Sequence, residues 1–118
     1  IWVIPQMNKI RQALAAMTGA RGIIFDLCSN PGGVGAMAPA VAGLLVTEET
    51  SLGTMKFRTG DSNFRVYPQK TAFAGKIVIL TDYATGSTSE IFAAGLQETE
   101  RAKIVGEISA GAVLPSVV

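Results

Sequence analysis

The chain moves between two hydrophobic rhythms, and each predicts its own kind of element. In "PQMNKIRQALAAMT" (5–18), Met7, Ile10, Leu14 and Met17 recur at the spacing that lines one face of a helix. Pro5 suits the first turn of that helix and Gly19 its stop. Shorter, unbroken apolar runs follow the other rhythm. "GIIFDL" (22–27), "KIVILT" (76–81) and "AKIVGE" (102–107) read as buried strands. A small-residue helix is predicted over 36–46, with Pro39 tolerable only in its first turn, and another helix over 88–99. Between 54 and 67, "TMKFR" and "FRVY" alternate apolar and polar residues around "TGDSN", the pattern of a hairpin.

One unit occurs twice in that order. A strand, an aspartate, a polar glycine turn and a helix run through 23–46 and again through 77–99. Strands joined through helices are expected to lie parallel with right-handed crossovers, which makes the fold class α/β. Both turns then leave the carboxyl ends of parallel strands, where open α/β sheets bind their ligands. "NPGG" (30–33) and "TGSTS" (85–89) are therefore expected to face one crevice, about fifty residues apart in sequence.

Composition sets the bounds. The 118 residues allow one domain at most. They are 48% hydrophobic and 16% charged, against about 25% charged for an average soluble domain. Such a chain buries a substantial core or has lost segments that cover its apolar faces, and self-association is expected of it. A net charge of +1 gives no case for nucleic acid or an anionic membrane. No apolar run reaches transmembrane length, "IWVIPQMNK" is no signal peptide, and Cys28 has no partner for an internal disulfide. Both ends read as cut, so residues 1–118 are expected to be one partial domain.

The crevice carries candidate acyl-transfer chemistry, which needs a nucleophile, backbone N–H donors for an oxyanion, and a base. Ser87 stands at the join of strand and helix, where free N–H groups and the helix dipole favour developing negative charge. Gly32 and Gly33 offer N–H groups that a substrate can approach closely, and the Thr88 N–H follows the serine directly. Against this, Ser87-Thr88-Ser89-Glu90 is also an S-x-x-E capping box. The chain contains no histidine, so it cannot assemble a Ser-His-Asp triad alone. On these residues both readings of Ser87, nucleophile and helix cap, stand open.

Other features have quieter readings. Glu90 is expected to be the capping-box partner, and Asp26 and Asp82 to bind their own turns. Cys28 is read as a buried small hydrophobe and Met7, Met17 and Met37 as core, while Lys56, Arg58 and Arg65 are read as a solvated face. Without histidine no metal site is expected, and no organic cofactor is implied. Gly33-x-Gly35-x-x-Ala38, with Glu48 and Glu49 further on, partly meets the dinucleotide fingerprint. The fit is poor, because Cys28 to Pro31 separate the strand from the first glycine.

The two ordered motifs resemble one family. "ARGIIFDLCSNPGG" is similar to the "strand–D-L-R-x-N-P-G-G" segment of the C-terminal-processing (tail-specific) serine peptidases, and "KIVILTDYATGSTSEIFAAGLQETERAKIVGEISAG" to their active-serine segment. The resemblance covers most of 20–118. It implies a ββα superhelix of the crotonase and Clp protease type, incomplete here. It places the nucleophile at Ser87, three residues before the glutamate of "S-x-S-E-I", with oxyanion donors at Gly33, Gly32 and Thr88. The implied activity is hydrolysis of polypeptides, at unfolded or C-terminal segments, through an acyl-enzyme and outside the cytoplasm.

Two departures qualify it. In the bacterial enzymes "V-G-E" leads to "F-G-K-G", whose lysine is the base; here Ala112 takes that place. Lys103, in the preceding strand, is no substitute. "S-A-G" at this point resembles the tricorn-like branch, which takes its base from a histidine in an earlier segment, so the base is expected from outside residues 1–118. Cys28 stands where an arginine is usual. The alternative is a non-catalytic binding module on the same scaffold, as in interphotoreceptor retinoid-binding protein.

Overall fold

In the computed structural model, which describes residues 1–114, three parallel strands form the centre. β1 (Gly22–Asp26), β4 (Lys76–Thr81) and β5 (Lys103–Gly106) lie in the order β1-β4-β5. Ile23 pairs with Ile77 and Asp26 with Leu80, while Val78 pairs with Lys103 and Thr81 with Gly106. The parallel direction expected from the helical connections is observed. The two glycine turns accordingly emerge side by side at the carboxyl end of the sheet.

Helix α1 (Met7–Ala16) follows a single 3-10 turn at Ile4–Gln6, so Pro5 precedes the α-helix proper. Leu14 is buried, Met7 and Ile10 are partly buried against the core, and Met17 is 38% exposed. Met17 is thus the one member of the expected stripe that leaves the core, because the helix has ended before it. Helix α2 (Met37–Ala42) is shorter than expected, and its buried run continues through Leu44, Leu45 and Val46. Helix α3 (Thr88–Glu98) buries Phe92, Ala93, Gly95 and Leu96. Phe92 stacks tilted between Trp2, 5.1 Å away, and Phe25, 5.4 Å away.

Strands β2 (Thr50–Phe57) and β3 (Gly60–Val66) form the hairpin, but "TGDSN" is not its turn. Phe57 pairs with Gly60, Lys56 with Asp61 and Thr54 with Asn63, so the reversal falls on Arg58 and Thr59. Gly60, at φ +134, supplies the conformation that closes so short a loop. Asp61, Ser62 and Asn63 are exposed there, where polar side chains in a strand cost little. Lys56, Arg58 and Arg65 are exposed, as expected of a solvated face, and Arg65 pairs there with Glu49.

The parallel sheet buries one face, not two. Ile23, Ile77 and Ile79 are buried and Phe25 and Ile104 pack against the core, while Ile24 is 66% and Val105 53% exposed. The runs expected to be wholly buried therefore alternate. No helix among the described residues is long and apolar enough to cross a membrane.

Candidate active site

Ser87 ends the turn after β4 and starts α3, and its backbone departs from that of an ordinary helix cap. An N-cap residue ordinarily takes extended φ and ψ while its side-chain oxygen accepts an N–H of the first turn. Ser87 instead has φ 51 and ψ −121, a conformation that costs a non-glycine residue about 1–3 kcal/mol. It also keeps the capping box with Glu90, whose carboxylate accepts the Ser87 N–H at 2.7 Å while the Glu90 N–H donates to the Ser87 carbonyl oxygen at 2.8 Å. Half-buried on a strained strand-to-helix turn, Ser87 has the geometry of a nucleophile elbow.

The glycine turn lies directly against it. A Cβ on Gly32 would stand 2.6 Å from Ser87 Cβ and 3.0 Å from the Thr88 nitrogen. The two glycines differ in what their N–H groups do. Gly32 donates to Asn30 Oδ1 at 3.1 Å, so its N–H is engaged. Gly33 is bridged to Trp2 by its neighbours: Trp2 N–H donates to the Gly32 carbonyl at 2.9 Å, and Val34 N–H to the Trp2 carbonyl at 2.8 Å. In such a parallel bridge Gly33's own N–H and C=O turn away from Trp2. Its carbonyl accepts the Thr88 hydroxyl at 2.8 Å. Its N–H has no partner among the described residues, nor has that of Thr88, which as the first helical residue has no acceptor one turn back. Two unclaimed donors thus sit on residues joined to each other beside Ser87.

Glu90 holds this arrangement to the segment after β5. Its Oε2 accepts Ser87 N–H at 2.7 Å and Ala112 N–H at 2.9 Å. Its Oε1 accepts the Ser109 hydroxyl at 2.7 Å and Gly111 N–H at 2.6 Å. Burial pushes the Glu90 carboxyl up, but the Ser109 hydroxyl and the Gly111, Ser87 and Ala112 N–H groups together outweigh it and hold the group below the usual glutamate range. The expected capping partner is therefore a four-donor hub. It brings Ala112 beside the Ser87 turn with only a methyl group to offer. Lys103 pairs with Val78, three residues before the carboxyl end of the sheet, and so about 10 Å short of that end.

Asp26 accepts Cys28 N–H at 3.0 Å and so binds its own turn, as expected. Asp82 does more: besides Ala84 N–H of its own turn, it accepts Ser29 N–H and the Ser29 hydroxyl from the other turn. Cys28 is exposed, against the expectation of a buried hydrophobe, because strand β1 ends at Asp26 and the turn carries it outward. Sequence reasoning also missed Trp2. Its indole N–H donates to the buried Ser89 Oγ at 2.8 Å, pinning the segment bridged to Gly33 to helix α3. No local signal could have paired residues that far apart.

Fold and site first define a class: a parallel α/β core presenting a serine on a strained strand-to-helix turn, opposite a glycine turn with an unclaimed N–H. A family model, that of Peptidase family S41, matches residues 3–117, and the chain belongs to that family. The Synechocystis carboxyl-terminal-processing protease is 37% identical over 93 residues, 79% of this chain and 22% of that protein. Carboxy-terminal processing protease CtpA of Bacillus subtilis is 28% identical over 93 residues, 79% of this chain and 20% of its own length. Among solved structures, a photosystem II D1 C-terminal processing protease matches with a TM-score of 0.83 and 25% identity over 93% of this chain and 29% of that one. The tricorn protease shares the fold, with a TM-score of 0.56 and 24% identity over 80% of this chain and 9% of that one. The resemblance read from the two motifs and the fold type it implied are borne out. The chain spans about a fifth of the length of these curated relatives.

Proposed function

We propose that this chain carries the nucleophile and the oxyanion donors of a serine peptidase. Ser87 Oγ attacks the carbonyl carbon of a peptide bond and passes its proton to a base outside residues 1–118. The carbonyl oxygen, now negative, is received by the N–H groups of Gly33 and Thr88. Collapse of the adduct breaks the C–N bond, the departing amine takes the proton, and an acyl ester remains on Ser87. Water then attacks the ester through the same oxyanion site and frees the carboxylate product and the serine. Gly32 supports the site through close approach, since its N–H already serves Asn30.

The observation that carries this reading is the Ser87 backbone. A serine kept only as a cap has no reason to hold φ 51, whereas a serine that must present Oγ at a tight turn does. Substrates are polypeptides, in unfolded or C-terminal segments, met outside the cytoplasm, as the family resemblance implies.

The test is hydrolysis of an unstructured polypeptide by the full-length protein and its Ser87→Ala variant. The variant is expected to fold as the wild type and lose on the order of 10⁴–10⁶ in kcat. Equal cleavage by both, or none by the wild type, would leave Ser87 as a helix start on a scaffold that binds.

A further inference from the structure

The two turns are tied by a ladder of hydrogen bonds. Leu27 N–H donates to the Leu80 carbonyl at 3.0 Å and Gly86 N–H to the Asn30 carbonyl at 3.0 Å. The Thr85 hydroxyl donates to the Leu27 carbonyl at 2.8 Å and the Thr88 hydroxyl to the Gly33 carbonyl at 2.8 Å. Each of these rungs is neutral. The remaining rung is ionic. Asp82 Oδ1 accepts Ser29 N–H at 2.8 Å and Oδ2 accepts the Ser29 hydroxyl at 3.1 Å.

We propose that Asp82 is a positioning residue that sets the glycine turn against Ser87, holding the Gly33 N–H where the oxyanion forms. The proposal rests on the peptidase reading above. Its first support is the backbone of Ser29, at φ 57, where a non-glycine residue persists only when its surroundings over-determine it. Asp82 does so by binding both the N–H and the hydroxyl of that one residue, and bonds to an ionised acceptor are about twice as strong as neutral ones. Its second support is the route onward. Ser29 leads to Asn30, whose side chain holds Gly32 N–H and whose carbonyl holds Gly86 N–H, next to the nucleophile. A shift at Ser29 therefore reaches both walls of the site.

No lysine or arginine pairs with Asp82 among the described residues. Cys28, in the turn after β1, lies close enough to feel the charges of both Asp82 and Asp26, the last residue of β1. Its charge is met by hydrogen bonds and not by an ion pair. The Ser29 N–H lowers its pKa first, burial opposes this, and the Ser29 hydroxyl, Ala84 N–H and Thr85 add to the lowering.

The test uses the full-length protein, with Ser87→Ala as the control. It measures peptide hydrolysis, affinity for a peptide aldehyde, whose adduct needs the oxyanion donors, and affinity for the matching peptide carboxamide, which does not. Asp82→Ala is expected to lose about 10- to 100-fold in kcat with KM little changed. Aldehyde affinity should fall in step while carboxamide affinity holds. Asp82→Asn should recover most of the loss, since its carbonyl still accepts both N–H groups and its amide can donate to Ser29 Oγ. Wild-type kcat in Asp82→Ala, or equal losses in aldehyde and carboxamide affinity, would overturn the clamp alone. Should Asp82→Ala not fold, Asp82→Glu is measured instead, which keeps the charge but moves both acceptor oxygens off Ser29, and wild-type kcat there overturns the clamp equally. Absence of any Ser87-dependent hydrolysis in the wild type would overturn the peptidase reading and this proposal with it.

Discussion

Gly32 and Ser87 are packed so closely that a Cβ on the first would stand 2.6 Å from the Cβ of the second. The same atom would meet the Gly86 carbonyl oxygen at 2.8 Å, and φ at Gly32 is +103. Gly32→Ala thus combines backbone strain with a clash against residues that cannot step aside, since Gly86 N–H is held by Asn30. The Ser87 turn must move. Gly53 is the control: φ is +120 there, but nothing lies within 4 Å. Gly53→Ala is expected to lose about 1–3 kcal/mol from backbone strain and keep full activity. Gly32→Ala is expected to lose more stability than that and also its hydrolysis, with denaturant titration and peptide cleavage measured on both.

Glu90 makes stability depend on pH with a definite sign. Its folded-state pKa lies below its ordinary value, which for glutamate is about 4.3. The stabilisation is therefore fully present above that ordinary value and is lost as pH falls through the folded value. Glu90→Gln replaces one oxygen that accepts two donors by an amide that accepts none, so two donors near Ser87 lose their partner. At about 0.5–1.5 kcal/mol for each hydrogen bond lost at these partly exposed donors, the loss near neutral pH should be about 1–3 kcal/mol. Thermal melts of both proteins from neutral pH down into the acid range should converge. Parallel curves would remove Glu90 as the source of acid lability.

Cys28 is exposed but not activated. The Asp26 side chain raises its pKa first, with burial and the charges of Asp26 and Asp82 adding to it, so the thiol stays protonated at neutral pH. Alkylation by iodoacetamide should be slower than for free cysteine at neutral pH, and Asp26→Asn should speed it. A rate at or above that of free cysteine would contradict this placing.

Much of this was legible locally. The parallel order, the shared end of both turns and the position of Ser87 follow from the repeated strand–Asp–turn–helix unit. The hairpin turn was misplaced because "TGDSN" has turn composition, while the structure needs only Gly60 there and tolerates Asp61 to Asn63 in an exposed strand. What stayed hidden is long-range: Trp2 on Ser89, Asp82 on Ser29, and Glu90 on residues 109–112. None of these has a sequence spacing that local geometry imposes. Nor could composition reveal φ at Ser87, since the same four residues serve cap and elbow alike.

Gly95 sets two effects against each other. Inside α3, replacing glycine by alanine should stabilise the helix by about 1 kcal/mol. A Cβ at this position, however, would meet Leu52 Cβ at 2.5 Å and Leu52 Cα at 2.6 Å. The second contact is backbone, so a rotamer change at Leu52 cannot relieve it, and strand β2 must move off the helix. Overpacking of a close-packed interior costs about 1–3 kcal/mol, which outweighs the helical gain. Gly95→Ala is expected to lower stability by up to about 2 kcal/mol net. Leu52→Ala in the same background should not restore it, because Cα and Cβ remain. The hairpin packs on α3 well past its first turn, so Ser87 should keep its reactivity in the folded fraction. Denaturant titration together with Ser87 labelling by a sulfonyl fluoride checks both halves. A stabilised Gly95→Ala would mean that the hairpin can lift away from α3 without cost.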